Sequence, residues 1–405
     1  MTAESERVAR ILKGFDPTSH GLSEDFFLTK LTAMKGCGCK VPRAILLELL
    51  KSFDADTTVG HEGVGIGLDS CVVQERERER RAGRAGGAGR GGRGGGGRGG
   101  AGRGGAAGRR GGADGGAGRG GAGRGGAGRG GAGRGGEGRG GRAGRGGGGG
   151  GGGRQRRAGG RTIISMFIQG FKDAATAAGT KVRGGQTVRC PWLLLGGVAT
   201  SVASDAEIIR VERAQPGDVL VLTKPIGGQV AVNAYEWLKK KNGRVEEYGL
   251  DEEKIIRAFQ QVTEQMTRLN RNAAKMLHKY NAHASTDVTG FGILGHADNL
   301  SRAQTSKVRF VIDVLPIIEY MDEIARKMPN GNGFNLFGGT SAETSGGLLV
   351  AVSPKCAEGF VRDMEAMDGH PAWIVGRVEK LEEGVNHAII QEHFNVISVP
   401  SRIHK

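Results

Sequence analysis

The sequence predicts an α+β fold of two mixed domains, interrupted by a disordered Gly/Arg-rich insertion. Three observations predict it. Short apolar runs typical of strands mix with helical patterns without a strict alternation, which favours sheets covered by helices. The 405-residue chain carries a net charge of +16 and 78 Gly, and the excess of both is concentrated in one segment. The remainder is close to neutral and long enough for about two domains of ~150 residues.

The chain is expected to divide into three parts. Residues 1–50 are predicted to be a flexible N-terminal arm with a Cys/Lys loop and a helix. Residues 51–206 are predicted to form an N-terminal domain, and residues 207–405 a C-terminal α+β domain. The interruption, residues 74–161, lies inside the N-terminal domain and is treated separately because its composition differs so strongly.

The interrupting tract cannot build a hydrophobic core. Residues 74–161 contain 22 Arg, five acidic residues and 46 Gly, and nothing apolar larger than Ala. No buried surface therefore offsets the backbone entropy lost on folding, and we expect disorder. Because the 22 Arg side chains are positively charged, we expect the tract to bind phosphate groups non-specifically, and RNA is therefore a candidate partner. No aromatic residue is present to stack on bases, and this weakens that candidate.

Four elements are predicted in the first domain. The apolar, β-branched residues 64–73 indicate a strand or the end of one. After the tract, residues 163–179 have helical character and end at a Gly, a common helix stop. Residues 182–188 and 192–203 predict two strands, of which the second has the continuous apolar pattern of a fully buried strand.

The second domain has its own sequence of elements. Residues 216–238 predict a turn, a strand, a second turn and a helix. One long amphipathic helix is expected over residues 251–280. A strand is predicted at residues 308–313, and terminal strands are predicted around residues 372–380.

The loop GCGCK at residues 36–40 has the composition of a reactive or phosphate-binding loop. Gly residues flank Cys37 and let a ligand approach the backbone closely. Lys40 and the start of a helix at Pro42 supply positive potential, which lowers a thiol pKa and attracts anions. An inert surface loop with two idle Cys is the equally simple alternative. Half of a zinc site is disfavoured, since no second CxC or CxxC pair occurs.

Asp69 and Asp287 are the candidate metal ligands. Each follows or ends a strand-like run beside Gly, and one or two such carboxylates plus phosphate oxygens suit Mg²⁺. In the segment after Asp287, Gly residues lead into a helix expected near Ile293, whose N–H groups are candidates to face an anion. An Asx turn is the alternative for either Asp.

A Gly-Gly-Gln-Thr turn and two His residues are weaker candidates. Residues 184–187 are compatible with phosphate binding but match no established phosphate-loop fingerprint, so a tight turn before a strand is the alternative. His283 and His296 flank the Asp287 loop and are candidate ligands. A structural role is the alternative for both.

Several classes of protein are excluded or disfavoured by the sequence. No run of about 18 apolar residues occurs, which argues against a membrane-spanning helix. The first 15 residues lack the apolar centre of a signal peptide and contain Glu4 and Glu6, which argues against a transit peptide. Five Cys without a secretion signal favour free thiols in a reducing compartment. A cytoplasmic location is expected.

Taken together and in this order, the motifs resemble selenophosphate synthetase, also called selenide, water dikinase. The resemblance covers nearly all of the chain outside the tract. The segments that carry it are GCGCKVP (36–42), GVGIGLDSCVV (63–73), GFKDAATAAGTKVRGGQTV (170–188), PGDVLVLTKPIGGQVAV (216–232), ASTDVTGFGILGHADNL (284–300) and ETSGGLLVAV (343–352).

The resemblance implies an enzyme that converts ATP, hydrogen selenide and water to selenophosphate, AMP and orthophosphate, with Mg²⁺. It implies the aminoimidazole ribonucleotide synthetase fold, a homodimer, and ATP binding by the N-terminal domain. Cys37 matches the position that handles selenium, and Lys40 matches the essential lysine near the phosphates. Asp69 and Asp287 match magnesium ligands. Positions that match ATP contacts are Lys40, Gly67, Leu68, Asp69, Gly184, Gly185, Gln186 and Thr187.

The tract is where the sequence departs from the family. There the family has a Thr-Thr-Asp strand end and an Asn-containing helix that ends in Ser-Asp, which supply further ATP and magnesium ligands. The tract offers only Asp114 and a few Glu instead. One hypothesis is a real replacement, giving a catalytically inactive paralogue or a protein that binds RNA through the tract. The other is an error of gene model or reading frame, since GC-rich repeats encode Gly, Arg and Ala.

Overall fold

Six strands form one mixed sheet, whose order is β2-β4-β1-β5-β3-β6. All neighbours are antiparallel except β3 and β6, which are parallel. In this computed structural model the described residues are 3–27, 151–185 and 195–404, with backbone alone for residues 151–161. The strands are β1 (Val219–Leu222), β2 (Ala284–Asp287), β3 (Val308–Ile318), β4 (Leu348–Val352), β5 (Trp373–Lys380) and β6 (His387–Val399).

Nine α-helices occur among the described residues, and most of them cover the two faces of the sheet. No helix in the described ranges is both long and apolar enough to cross a bilayer. The helices are α1 (Ala3–Lys13), α2 (Gly151–Ala177), α3 (Gly228–Lys240), α4 (Arg244–Glu247), α5 (Glu252–Thr267), α6 (Arg271–Lys279), α7 (Gly292–Arg302), α8 (Met321–Lys327) and α9 (Pro354–Asp368).

The strand alternation divides the core into two layers. Leu220 and Leu222 of β1 face the larger cluster, together with apolar residues of α3, α5, α7 and α8. Val221, between them, faces the second cluster, to which α6 and α9 contribute. Phe360 of α9 is fully buried there. A period of two in the strand thus buries both faces, as expected for a sheet covered by helices on both sides.

Most elements predicted for the C-terminal half are confirmed. The turn, strand, turn and helix of residues 216–238 are β1 and α3 with their flanking turns, and residues 308–313 begin β3. The helix expected near Ile293 begins one residue earlier. Residues 372–380 contain β5. The division of the chain at residue 207 stays a prediction.

The predicted end of the tract needs a correction. Helix α2 begins at Gly151, ten residues before the end of the tract as drawn from composition. Residues 155–158 are Gln, Arg, Arg and Ala, which are good helix formers. Once the apolar segment from Ile163 has nucleated a helix, each further residue adds a hydrogen bond at little entropic cost. The rest of the tract lies outside the described residues.

The prediction of a fully buried strand at residues 192–203 is wrong for residues 195–203. These residues have no regular structure, and Val198 and Val202 are 94% and 97% exposed. Residues 182–185, in the other predicted strand, are also irregular and exposed. An apolar run becomes a buried strand only when neighbouring strands and a covering layer exist. By composition the Gly/Arg tract has no large apolar side chain for such a layer.

The long helix expected over residues 251–280 is two helices. Helix α5 begins as expected, with the side chain of Asp251 accepting a hydrogen bond from the N–H of Lys254 (3.0 Å). It ends at Thr267, and α6 starts at Arg271. Two carbonyl groups at this break, those of Gln265 and Arg268, accept hydrogen bonds from the buried side chain of Lys224, two residues after β1. A single sequence does not reveal that distant partner.

Candidate functional site

Asp287 lies at one edge of the sheet, where three chain segments meet. It is the last residue of β2 and pairs with Leu348, the first residue of β4. Since β4 is antiparallel to both β1 and β2, the ends of β1 and β2 and the start of β4 lie together. We call this region the Asp287 edge and define it as residues 223–224, 287–288 and 346–347.

The loop after Asp287 is fixed by backbone contacts on both sides. The N–H of Val288 donates to the carbonyl of Gly347 (2.9 Å), and the carbonyl of Thr289 accepts from the N–H of Glu343 (3.0 Å). Gly292 has φ +70°, and a Cβ there would lie 2.3 Å from the carbonyl oxygen of Gly339. Only Gly fits such a position. The segment that follows Asp287 is therefore tightly constrained.

The N-terminus of α7 is less open to an anion than the sequence predicts. The N–H of Gly292 donates to the carbonyl of Thr289 (3.0 Å), and that of Leu294 donates to Gly339 (2.9 Å). Two N–H groups of the first turn are thus bound to protein carbonyls. The positive end of the helix dipole still lies beside Asp287 and favours negative charge there.

His296 packs against the loop that follows Asp287 and contacts two of its residues. Its side chain is 4% exposed, and its Nε2 accepts a hydrogen bond from the N–H of Phe291 (3.4 Å) and lies 3.2 Å from the hydroxyl of Thr289. The rings of His296 and Phe291 are 5.4 Å apart. These contacts assign Nε2 as an acceptor and support the structural alternative for this residue.

His283 lies at the opposite end of β2 from Asp287. Its Nδ1 is 2.8 Å from a carboxylate oxygen of Asp218, which is buried. Asp287 is four residue steps of extended chain away from His283, which corresponds to roughly 13 Å. The contact with Asp218 supports the structural alternative for His283 as well.

Of the predicted site residues, Asp287, Gly184 and Gly185 fall within the described residues. Gly184 and Gly185 are exposed in an irregular segment, and a Cβ at either would meet nothing within 4 Å. Within residues 3–27, 151–185 and 195–404, no group of three or more His, Cys, Asp or Glu is placed to hold a metal. The other predicted residues, which lie outside the described residues, are Cys37, Lys40, Gly67, Leu68, Asp69, Gln186 and Thr187.

Two buried ionisable residues, one within the Asp287 edge and one beside it, are not among the candidates that the sequence predicts. Lys224 and Glu343 are each 2% exposed. Burial, followed by the charge of Arg268, lowers the pKa of Lys224 to about 7. Burial raises the pKa of Glu343 to about 8, although two backbone N–H groups that it accepts from act in the opposite direction. The sequence does contain a signal for both residues, because each is a charged residue close to an apolar strand. Lys224 comes shortly after the strand in VLVLTKP, and Glu343 comes shortly before the strand in ETSGGLLV.

Comparison with known proteins places this site in a family. The family described as AIR synthase related protein, C-terminal domain, matches residues 215–387, which contain most of the sheet. A Caenorhabditis elegans protein named "Probable selenide, water dikinase" is 52% identical over 98% of this chain and 100% of its own length. The chain belongs to the selenide, water dikinase family.

Other selenide, water dikinases support the same assignment. The one from Trypanosoma brucei brucei is 36% identical over 96% of this chain and 94% of its own length. Selenide, water dikinase 3 of Danio rerio is 35% identical over 96% of this chain and 90% of its own length. The family and the AIR synthase-related α+β fold predicted from the motifs are thereby confirmed. In this member of the selenide, water dikinase family, the segment TDVTGFGILGH forms the end of β2, the constrained loop and the start of α7.

Proposed function

We propose that the chain forms selenophosphate from hydrogen selenide, ATP and water, and releases AMP and orthophosphate. The observation that carries this proposal is the 52% identity, over the full length of the relative, to a protein named as a selenide, water dikinase. The position of Asp287, at a constrained sheet edge beside a helix N-terminus, supports it. Phosphoryl transfer depends on positioning and on neutralising charge, and such an edge serves both purposes.

Asp287 would hold a Mg²⁺ ion that binds the phosphates of ATP. Asp287 is partly exposed at the end of β2. A hard cation held by one or two carboxylates plus phosphate oxygens suits this donor chemistry. The proposal needs Asp69 as the second carboxylate. When bound, the ion would neutralise charge on the transferred phosphoryl group.

The remaining assignments follow the family resemblance. Cys37 would handle the selenium as a thiolate, and Lys40 would bind the phosphates. Gly67, Leu68 and residues 184–187 would contact ATP. A homodimer in the cytoplasm is proposed for the assembly and its location.

The alternatives are an inactive paralogue and a protein that binds RNA through residues 74–161. Filter binding of RNA by the full chain at about physiological salt tests the second, and a steep decline with added salt is its expected signature. Peptides recovered from the native protein across residues 74–161 would refute the hypothesis of an erroneous gene model.

The experiment that tests the proposal measures selenide-dependent AMP formation by the purified full chain. With Mg²⁺ and ATP, we expect AMP only when selenide is present. Asp287→Asn should lower the rate at least about 100-fold, since it removes a metal ligand. Asp322→Asn on α8, a helix that contributes no residue to the Asp287 edge, is the matched control and should keep the wild-type rate. A folded wild-type protein that makes no AMP would reject the proposal.

A further inference from the structure

Lys224 is a buried ammonium group that no step of the proposed reaction uses. It lies two residues after the end of β1, is 2% exposed and is among the largest fully buried side chains of the described residues. A lysine is almost never buried this deeply unless the fold provides partners for its charge. Its position at the Asp287 edge therefore calls for a physical reason.

The three protons of this ammonium group have three backbone acceptors. Nζ of Lys224 donates to the carbonyl oxygens of Gln265 (3.0 Å), Arg268 (2.7 Å) and Ser345 (2.9 Å). The first two belong to the end of α5 and the break that follows it. The third belongs to the loop that leads into β4. One side chain thus joins β1, α5 and the loop at residues 343–347.

The bond to Ser345 holds an unusual backbone. Ser345 has φ +49°, in the left-handed region that residues other than Gly rarely adopt. Such a conformation persists when its surroundings determine it. The ammonium group of Lys224 on the carbonyl of Ser345 is one such determinant, and the side-chain amide of Asn270, which donates to the carbonyl of Gly346 (2.9 Å), is a second.

The same loop packs directly against the segment that contains Asp287. A Cβ on Gly346 would lie 2.2 Å from the carbonyl oxygen of Val288, and a Cβ on Gly347 would lie 2.4 Å from the backbone nitrogen of Lys224. The two Gly residues therefore fill the gap between Lys224 and Val288. The N–H of Val288 also donates to the carbonyl of Gly347. A shift of this loop must move the residues beside Asp287.

We propose that Lys224 is a positioning residue for the metal and nucleotide site: its three carbonyl contacts fix residues 345–347, and these residues fix Asp287 through Val288. This inference rests on the proposed role of Asp287. Lys224 touches neither metal nor nucleotide in this proposal. It acts through the backbone alone.

The test combines hydrogen exchange without ligand, calorimetric binding of Mg²⁺ with ATP, and AMP formation, all on the full chain. Lys224→Met removes the ammonium group and keeps an unbranched side chain. Ser345→Gly relieves the left-handed strain, because Gly adopts that conformation freely. Asn270→Ala removes the weaker second support. Phe360→Leu, which disturbs the opposite core layer, is the control for a general loss of stability.

We expect Lys224→Met to speed exchange in residues 284–292 about tenfold and to weaken Mg²⁺–ATP binding about tenfold, with a smaller change in kcat than in KM. Adding Ser345→Gly should restore part of both losses. Asn270→Ala should speed exchange in residues 284–292 and weaken Mg²⁺–ATP binding by about threefold each. If Lys224→Met does not fold, the result for Asn270→Ala tests the inference in its place. Phe360→Leu should lower the melting temperature and leave Mg²⁺–ATP binding within twofold.

Two results would overturn the inference. One is a folded Lys224→Met protein whose exchange and Mg²⁺–ATP binding match those of Phe360→Leu. The other is an Asn270→Ala protein with no change in residues 284–292 when Lys224→Met is unfolded. A wild-type protein that makes no AMP, with the exchange and binding pattern as expected, would reject the proposed function and leave the positioning role of Lys224 supported.

Discussion

Glu343 predicts an unusual dependence of stability on pH. Its carboxylate is 2% exposed and accepts hydrogen bonds from the N–H groups of Gly227 (2.7 Å) and Gly228 (3.1 Å) at the start of α3. A Cβ on Gly228 would lie 2.4 Å from this carboxylate. Burial raises the pKa of Glu343 to about 8, against 4.5 for an exposed Glu. At pH values between 4.5 and about 8, folding is therefore coupled to the uptake of a proton by Glu343.

The sign of the effect follows from proton binding. Between pH 4.5 and about 8 the folded state holds more protons at Glu343 than the unfolded state does. The free energy of unfolding contributed by Glu343 must then decrease as the pH rises through this range. Each pH unit changes the free energy of unfolding by about 1.4 kcal/mol per proton. The expected decrease in the free energy of unfolding from pH 5 to pH 7 is therefore about 3 kcal/mol.

Urea denaturation of the wild type and of Glu343→Gln at several pH values between 5 and 8 measures this contribution. The amide stays neutral and imitates the protonated acid, so the variant should gain about 3 kcal/mol relative to the wild type between pH 5 and pH 7. Glu323→Gln, an exposed change on α8, is the control and should follow the wild type. Parallel pH profiles for the wild type and Glu343→Gln would refute the reasoning.

Three further predictions concern the same fold. Gly292→Ala should lower the free energy of unfolding by about 3 kcal/mol or more in urea titrations, because φ is positive and the new Cβ would collide with Gly339; an unchanged midpoint would contradict this. Arg7→Ala should speed tryptic cleavage within α1 about fivefold, since an ion pair of about 1 kcal/mol with Glu264 (3.2 Å) is lost; equal rates would exclude this anchoring role. His283→Gln should keep the KM for ATP within about twofold, and a tenfold rise would contradict its placement at the far end of β2.

Local patterns were sufficient to predict β1 and the start of α7, two elements close to the Asp287 edge. The apolar run after residue 216 and the Gly residues around Phe291 encode a strand, a turn and a helix start within a few residues of chain. Their structure depends on local geometry and on burial of one face. The start of α7 was therefore predicted within one residue of its observed position, and Asp287 lies at the end of a strand, as expected.

Features that depend on distant partners were not predictable. The break between α5 and α6 is stabilised by Lys224, which lies about 40 residues away in the chain. The exposed run at residues 195–203 has the composition of a buried strand and lacks the cover that would bury it. Lys224 and Glu343 can be buried only because the fold places carbonyl and N–H groups within hydrogen-bonding distance of them; without those groups they would be exposed charges. A single sequence contains no measure of that.

The most direct test of the central claim is ³¹P nuclear magnetic resonance of the full chain turning over ATP with Mg²⁺ and selenide. We predict equal amounts of AMP, orthophosphate and a phosphorus species directly bonded to selenium, all three formed at least about 100-fold more slowly with Asp287→Asn. A folded wild-type protein that releases only ADP and orthophosphate, or that forms the selenium-bonded product equally well without the Asp287 carboxylate, would contradict it.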